Sequence, residues 1–320
     1  MKAILSGLAT YLPGLNYLKP TGGTGSARYC YSIWLRHLIL GYANGLHRSI
    51  PAVVAELGPG DSIGIGLAAL LSGVRKYYAL DLVRYSDLSS NLAILDELVG
   101  LFANREPVPG DEEFPRANPK LDCYAFPFHI LDDAALSAAL NPIRIAAIRS
   151  SIEHSDVGHS MITYKAPWAD SNVIEDHSVD MIYSQAVLEH IDDMSGVYNA
   201  MRRWLKPAGV MSHQIDFKCH GKADTWNGHW AYSDWVWKLV VGRRPYFLNR
   251  EPHSSHLRFL RENDFRIVSD IAVHSASGLK RRQLARRFRR LSDDDLTTSG
   301  AFILATASED DNAKRHGAMY

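Results

Sequence analysis

The sequence predicts an α/β fold with a mostly parallel sheet, and three observations carry that expectation. The apolar run Ala52 to Ala55 passes into Glu56-Leu57-Gly58-Pro59-Gly60-Asp61-Ser62 and then a small-residue, helix-like run, Gly64 to Leu71. Lys76-Tyr77-Tyr78-Ala79-Leu80-Asp81 reads as a second strand closing on an acid. Asp176 to His190 reads as a polar turn, an apolar strand and a helix start, and Val197, Met201, Trp204 and Leu205 continue it at helical spacing. Strands alternating with helices build parallel βαβ units.

The first element, strand then glycine turn then helix, brings a polar ligand against bare backbone N–H groups. Glycine admits unusual φ/ψ and has no Cβ to block the ligand. A carboxylate just before the turn disfavours a pyrophosphate; it suits a ligand carrying an ammonium and a sulfonium. In the second element, Asp81 follows the glycines by about twenty residues, the offset at which an acid accepts from ribose hydroxyls. Together these residues resemble the class I S-adenosylmethionine-dependent methyltransferases, whose first motif runs E-x-G-x-G.

The resemblance implies that the turn Gly58, Pro59, Gly60, Ser62, with Glu56 before it, holds the methionine part of S-adenosyl-L-methionine, and that Asp81 holds the ribose. The third element resembles the same family's fourth strand, f-D-x-(I/V)-x-S-x-x-v-L-E-H, with Ser184 beside the cofactor. Lys206-Pro207-Ala208-Gly209 resembles its L-k-P-G-G turn, Ala208 replacing the first glycine, and stops the helix before a fifth strand, Val210 to Phe217. The implied fold is a Rossmann-like sheet, mostly parallel, with an antiparallel last strand. The resemblance covers residues 50–82 and 160–217 well and the rest poorly. Two rivals stay open for the local motif. One is an NAD-type site, for which Gly64 falls one place late in G-x-G-x-x-G; the other is a plain turn.

Composition agrees with one large α/β domain: 320 residues, 46% hydrophobic, formal net charge zero. No global field draws the chain to nucleic acid. Cys30, Cys123 and Cys219 are few, odd in number and far apart, which fits a reduced, cytoplasmic protein and small buried residues. No run has the unbroken apolar length of a membrane span. Met1 to Leu18 reads as a helix packed on its own domain or lying on a partner or membrane surface, so peripheral membrane contact and a homo-oligomer stay open.

Residues 1–50 are expected as an N-terminal helical extension, with the loop Lys19 to Ser26 a possible lid and Tyr29 to Leu46 helical. The methyltransferase domain is placed at 51–308. Within it, 88–158 is an insertion: a helix over 88–105 buries Leu92, Leu95, Leu98, Val99 and Phe102, residues 106–130 form a proline-rich excursion, and 132–156 are helical again. Ser160 to Lys165 is the third strand. Beyond it, Trp168 is expected to stack on the adenine and Asp170 to accept from its amino group. A helix around Leu257 to Leu260 precedes a strand from Arg266 to Val273, with Asn263-Asp264 in place of the family's usual glycine turn. Arg250 is read as a surface ion-pair residue. Lys280 to Arg290 is basic, and Asp293 to Asp295 follow at once, so a self-neutralised segment is expected. Ala301 to Ala307 is the closing strand, and 309–320 a polar tail.

Residues 218–262 form the substrate-side extension, since ligands bind beyond the carboxyl ends of such strands. Its His229 and its aromatics (Trp226, Trp230, Tyr232, Trp235, Trp237) either stack on a sugar ring or flat acceptor or pack the extension down. His190 is the first candidate base, and Asp216 with His220 the second. His213 with His220, or His253 with His256, are plausible ligand types, yet no acid or cysteine completes a recognised spacing, so no metal is expected. The expected activity is methyl transfer from S-adenosyl-L-methionine to a small-molecule or carbohydrate (glycan) acceptor, at oxygen. The competing readings are an NAD(P)-dependent oxidoreductase and a non-catalytic partner subunit that binds the same cofactor.

Overall fold

The computed structural model describes residues 2–12, 23–46, 49–155, 160–168, 171–244 and 246–308. Among them, β1 (Val53–Leu57), β2 (Lys76–Leu80), β3 (Ile162–Lys165), β4 (Val179–Gln185), β5 (Leu205–Asp216), β6 (Phe265–His274) and β7 (Thr298–Ala307) form a seven-stranded sheet. Its order is β3-β2-β1-β4-β5-β7-β6. The pairs from β3 to β5 are parallel, and β7 runs antiparallel to both its neighbours. The chain steps outward from β1 to β3 and then returns to β4 on the other side. That switch point leaves a crevice beyond the carboxyl ends of β1 and β4, where ligands of open α/β sheets sit. This is the Rossmann-like methyltransferase architecture, antiparallel seventh strand included.

The helices are α1 (Lys2–Leu8), α2 (Ala27–Ala43), α3 (Gly64–Leu71), α4 (Leu88–Ala103), α5 (Asp133–Ala139), α6 (Pro142–Glu153), α7 (Met194–Trp204), α8 (Asp234–Val241), α9 (His253–Glu262) and α10 (Asp293–Thr297). Local chemistry sets their starts. Ser26, Asp87, Asp132 and Asp193 each accept a backbone N–H of the first turn, and Pro142 opens α6, where its missing N–H costs nothing. The sheet separates two cores because strand side chains alternate. Met181 and Tyr183 of β4 join Trp34, Leu67 and Leu98 on one face, and Ile182 joins Met201, Trp204 and Ile303 on the other.

Several expectations change in detail. Helix α2 is no appendage: Trp34, Leu35 and Leu38 lie in the main core. Its buried Arg36 donates to the carbonyls of Pro109 (3.1 Å) and Pro119 (2.5 Å), which ties down the proline-rich excursion. The Lys206–Gly209 turn lies inside β5, which begins at Leu205 directly after α7. Ala208 adopts the left-handed φ of +60° that a glycine would take freely, at about 1 kcal/mol. Asp264 does the same at φ +56° before β6. Cys30 and Cys219 are buried, but Cys123 is exposed.

Arg250 is not a surface residue. It is buried, donates to the Tyr232 carbonyl (2.9 Å) and to Asp234 (2.6 Å), and lies over the rings of Trp237 and Phe288. The basic segment is neutralised in part: Arg281 pairs with Asp293 of the acidic run that follows, and Arg287 with Glu251 and Asp234. Among the described residues no helix is long and apolar enough to cross a membrane. Asp170, the stretches 13–18 and 19–22 of the N-terminal expectations, and the tail 309–320 lie outside the described residues.

Candidate active site

The glycine turn leaves β1 with Gly58 at φ +66° and Gly60 at φ +75°. Gly58 N–H donates to the Leu80 carbonyl at 2.8 Å, coupling the turn to β2. A Cβ on Gly58 would lie 2.6 Å from the Val187 side chain. Glycine is therefore needed twice there, for conformation and to let the segment after β4 approach. Asp81 is half-buried at the end of β2. Burial raises its pKa, while the amides of Leu82, Gly60 and Val83 pull it back. Trp168 N–H donates to the Asp81 carbonyl (3.1 Å), and its ring meets Trp204 edge-on at 5.5 Å. Gly58, Gly60, Asp81 and Trp168 thus gather at the carboxyl ends of β1 to β3.

Three residues expected on the ligand side face inward instead. Glu56 is 1% exposed and accepts from the hydroxyls of Tyr77 (2.5 Å) and Tyr183 (3.1 Å). Its carboxyl is raised to about 8, above all by burial. The carboxyl group joins β1, β2 and β4 in the interior. Ser62 is buried; its hydroxyl donates to the Thr24 carbonyl and accepts from Gly64 N–H at 3.0 Å. Ser184 is also buried, with its hydroxyl 2.8 Å from His213 Nδ1. Pro59 contributes its carbonyl, which accepts from the Thr24 hydroxyl at 2.9 Å. Thr24 thereby fastens the described end of the possible lid onto the glycine turn.

The candidate catalytic residues do come together. Ala186, at φ +56°, turns the chain out of β4 into a short 3-10 turn, Leu188–His190. Asn249 clamps that turn, its side chain donating to the carbonyls of Leu188 (2.8 Å) and Ile191 (2.9 Å) and its backbone N–H to that of Glu189 (2.8 Å). The rings of His190 and His220 are 5.2 Å apart. Asp216 Oδ2 lies 3.6 Å from His220 Nε2, and Lys218 Nζ is 3.2 Å from the same carboxylate. Burial, then the neighbouring His220, lowers His190 to about 4. Burial alone would raise Asp216, but His220 and Lys218 outweigh it and hold the carboxyl below its ordinary value.

Spacing did not reveal three further neighbours. Glu189 is buried beside His190. Burial raises the Tyr85 phenol, and the charges of Asp81, Tyr246 and Asp61 add to it. Only the adjacency of Glu189 to His190 was visible beforehand.

The histidine pairs weighed as ligands have other partners. His213 meets Ser184, His253 Nε2 meets Asp270 at 2.8 Å, and His256 Nδ1 meets the Tyr198 hydroxyl at 3.2 Å. Most aromatics of the extension pack it down: Trp226, Trp230 and Trp237 are buried, His229 lies against Trp230 and Trp237, and Trp235 is exposed. A groove of about 610 Å³ adjoins Asn249, lined by Asp193, Trp237, Arg244, Phe247 and Arg287.

A family model described as a methyltransferase domain matches residues 140–212. No curated protein matches the chain. Among solved structures, it is similar to an S-adenosylmethionine-dependent methyltransferase from Mesorhizobium loti, at 14% identity over 82% of this chain and 94% of that one, with a TM-score of 0.41. A second such methyltransferase, from Methanosarcina mazei, is 11% identical over 84% of this chain and 98% of that one, with a TM-score of 0.44.

Proposed function

We propose that this S-adenosylmethionine-dependent methyltransferase transfers its methyl group to an oxygen of a small-molecule or glycan acceptor, held over His190, Asp216 and His220. The observation that carries the reading is the contact of Val187 with the glycine turn. It sets the histidine cluster, three residues further along the chain, beside the cofactor crevice.

The residues present suit the cofactor. Gly58 and Gly60 form a turn without Cβ atoms, and Asp81 offers a half-buried carboxylate one strand away for the ribose hydroxyls. Trp168 stands beside Asp81 with a face for the adenine. When bound, S-adenosylmethionine supplies an electrophilic methyl group on a sulfonium. As the acceptor oxygen forms its bond to that carbon, the S–CH3 bond breaks, its electron pair stays on sulfur, and the hydroxyl proton must leave.

The pair Asp216–His220 is the better base. Asp216 is placed to hold the imidazolium that proton transfer creates. His190, lowered to about 4, is neutral at pH 7 but a weak proton acceptor. The test is methyl transfer from labelled S-adenosylmethionine to a panel of sugars, phenols and hydroxy acids, with amines as the contrasting class. Label appearing in ethers or esters, and lost in His220→Asn, supports the reading. Label appearing only in the amines would overturn the oxygen assignment.

A further inference from the structure

Glu189 poses a physical problem that the methyl-transfer reading leaves unsolved. It is 3% exposed, and neither of its carboxylate oxygens has a hydrogen-bond partner. The amides of Glu189 itself and of Asp216 approach it without bonding geometry. A buried carboxylate without a partner costs several kcal/mol, so Glu189 is either protonated, the form burial favours, or paired with a cation. Next to it, His190 Nδ1 is also buried and unpartnered. Glu189, His190 and His220 each present one donor atom, and the three atoms lie within 4.8 Å of one another.

We propose that Glu189, His190 and His220 bind a divalent transition-metal ion, Zn2+ or a first-row neighbour, with Asp216 as the residue that orients His220. The donor set argues for that class. Two imidazoles and one carboxylate suit Zn2+, Mn2+ or Co2+, whereas Mg2+ and Ca2+ take oxygen ligands. Three protein ligands leave a position open, as catalytic zinc sites do.

The surroundings fit as well. Ligating histidines commonly have their second nitrogen against a carboxylate or a backbone carbonyl; here Asp216 stands by His220. Burial keeps the His190 imidazole neutral, the form a metal takes. The sequence could not show this set, because His220 lies on a different strand's exit and neither expected histidine pair includes Glu189.

This inference rests on the proposed acceptor side and sharpens it. An ion there acidifies a coordinated hydroxyl, so the substrate class becomes alcohols or hydroxy acids able to reach the ion with oxygen. With an ion bound, His220 would serve as a ligand in place of its role as base, and the hydroxyl proton would pass to Asp216.

The test needs no methyl acceptor. The full-length protein is stripped with a chelator, and Zn2+ binding is measured by equilibrium dialysis with elemental analysis; Co2+ is added separately for its visible spectrum. The expected result is one ion per chain, with affinity at least tenfold weaker in both Glu189→Gln and His220→Asn. In Asp216→Asn the loss is about tenfold, as for residues that orient a ligand. His220 is partly exposed, so its variant keeps the test valid if Glu189→Gln folds poorly. Absence of stoichiometric binding, or binding equal in wild type and variants, overturns the site and leaves Glu189 as a buried, protonated acid. S-adenosylhomocysteine binding, measured in parallel, separates the two proposals: its loss with metal binding intact sinks the methyl-transfer reading and spares the metal site.

Discussion

Two glutamates lie at or just past the carboxyl ends of adjacent parallel strands, both almost wholly buried, and their surroundings are opposite. Glu56 on β1 receives two tyrosine hydroxyls, one from each flanking strand. Glu189, beyond β4, receives none. A satisfied buried carboxyl is part of the scaffold. An unsatisfied one beside two imidazoles is a site awaiting a ligand. On the proposed reading, the contrast sets a scaffold carboxyl under the cofactor turn apart from an acceptor-side carboxyl that metal binding would satisfy.

The largest effect expected from breaking that contrast is on stability. Glu56→Ala strands the hydroxyls of Tyr77 and Tyr183 and leaves a cavity, at about 3–5 kcal/mol in urea unfolding. Glu189→Gln removes no hydrogen-bond partner and relieves any buried charge, so the metal-free variant should be no less stable than wild type. Equal losses in the two variants would erase the distinction.

The pH dependence sharpens it. Glu56 is raised from 4.5 to about 8, so its contribution is complete below pH 4.5 and is lost as pH rises through 8. That amounts to several kcal/mol, and Glu56→Gln should flatten this alkaline limb. The buried His37, His190, His213, His229 and His256 act in the other direction. Burial holds them at about 3 to 4, down from 6.5, so their contribution is complete above pH 6.5 and is lost as pH falls through 4. Unfolding free energies across pH 4–9 in wild type and Glu56→Gln check both limbs.

A smaller effect tests the join between the two regions. Gly58→Ala strains a left-handed φ and meets Val187, costing about 1–3 kcal/mol and weakening cofactor binding. Adding Val187→Ala should return the steric part of that loss, and a double-mutant cycle measures it. The smallest effect belongs to the exposed Arg281–Asp293 pair: Arg281→Ala should shift stability by no more than about 1 kcal/mol. It should also leave oligonucleotide affinity, expected to be negligible, unchanged across salt concentrations.

The strands along the chain and the glycine turn were legible because they are local: apolar runs, a Gly-Pro-Gly turn and an acid at a fixed offset. Whether a side chain faces the ligand or the core was not. Glu56, Ser62 and Ser184 sit in the motif positions, yet Tyr77, Thr24 and His213 take them up from other segments. Arg250 looked like a surface cation until Trp237, Phe288 and Asp234 closed around it. Spacing cannot report such partners, and it failed for the same reason to join Glu189 to His220 across thirty-one residues.

The most direct measurement is calorimetric titration with S-adenosylhomocysteine, with NAD as the comparison, on wild type and Asp81→Ala. The expected result is binding of S-adenosylhomocysteine in preference to NAD, weakened roughly 10- to 100-fold by the loss of a charged hydrogen bond to the ribose. Preference for NAD, or S-adenosylhomocysteine binding indifferent to Asp81, would contradict the assignment of the crevice and reduce the glycine turn to fold geometry.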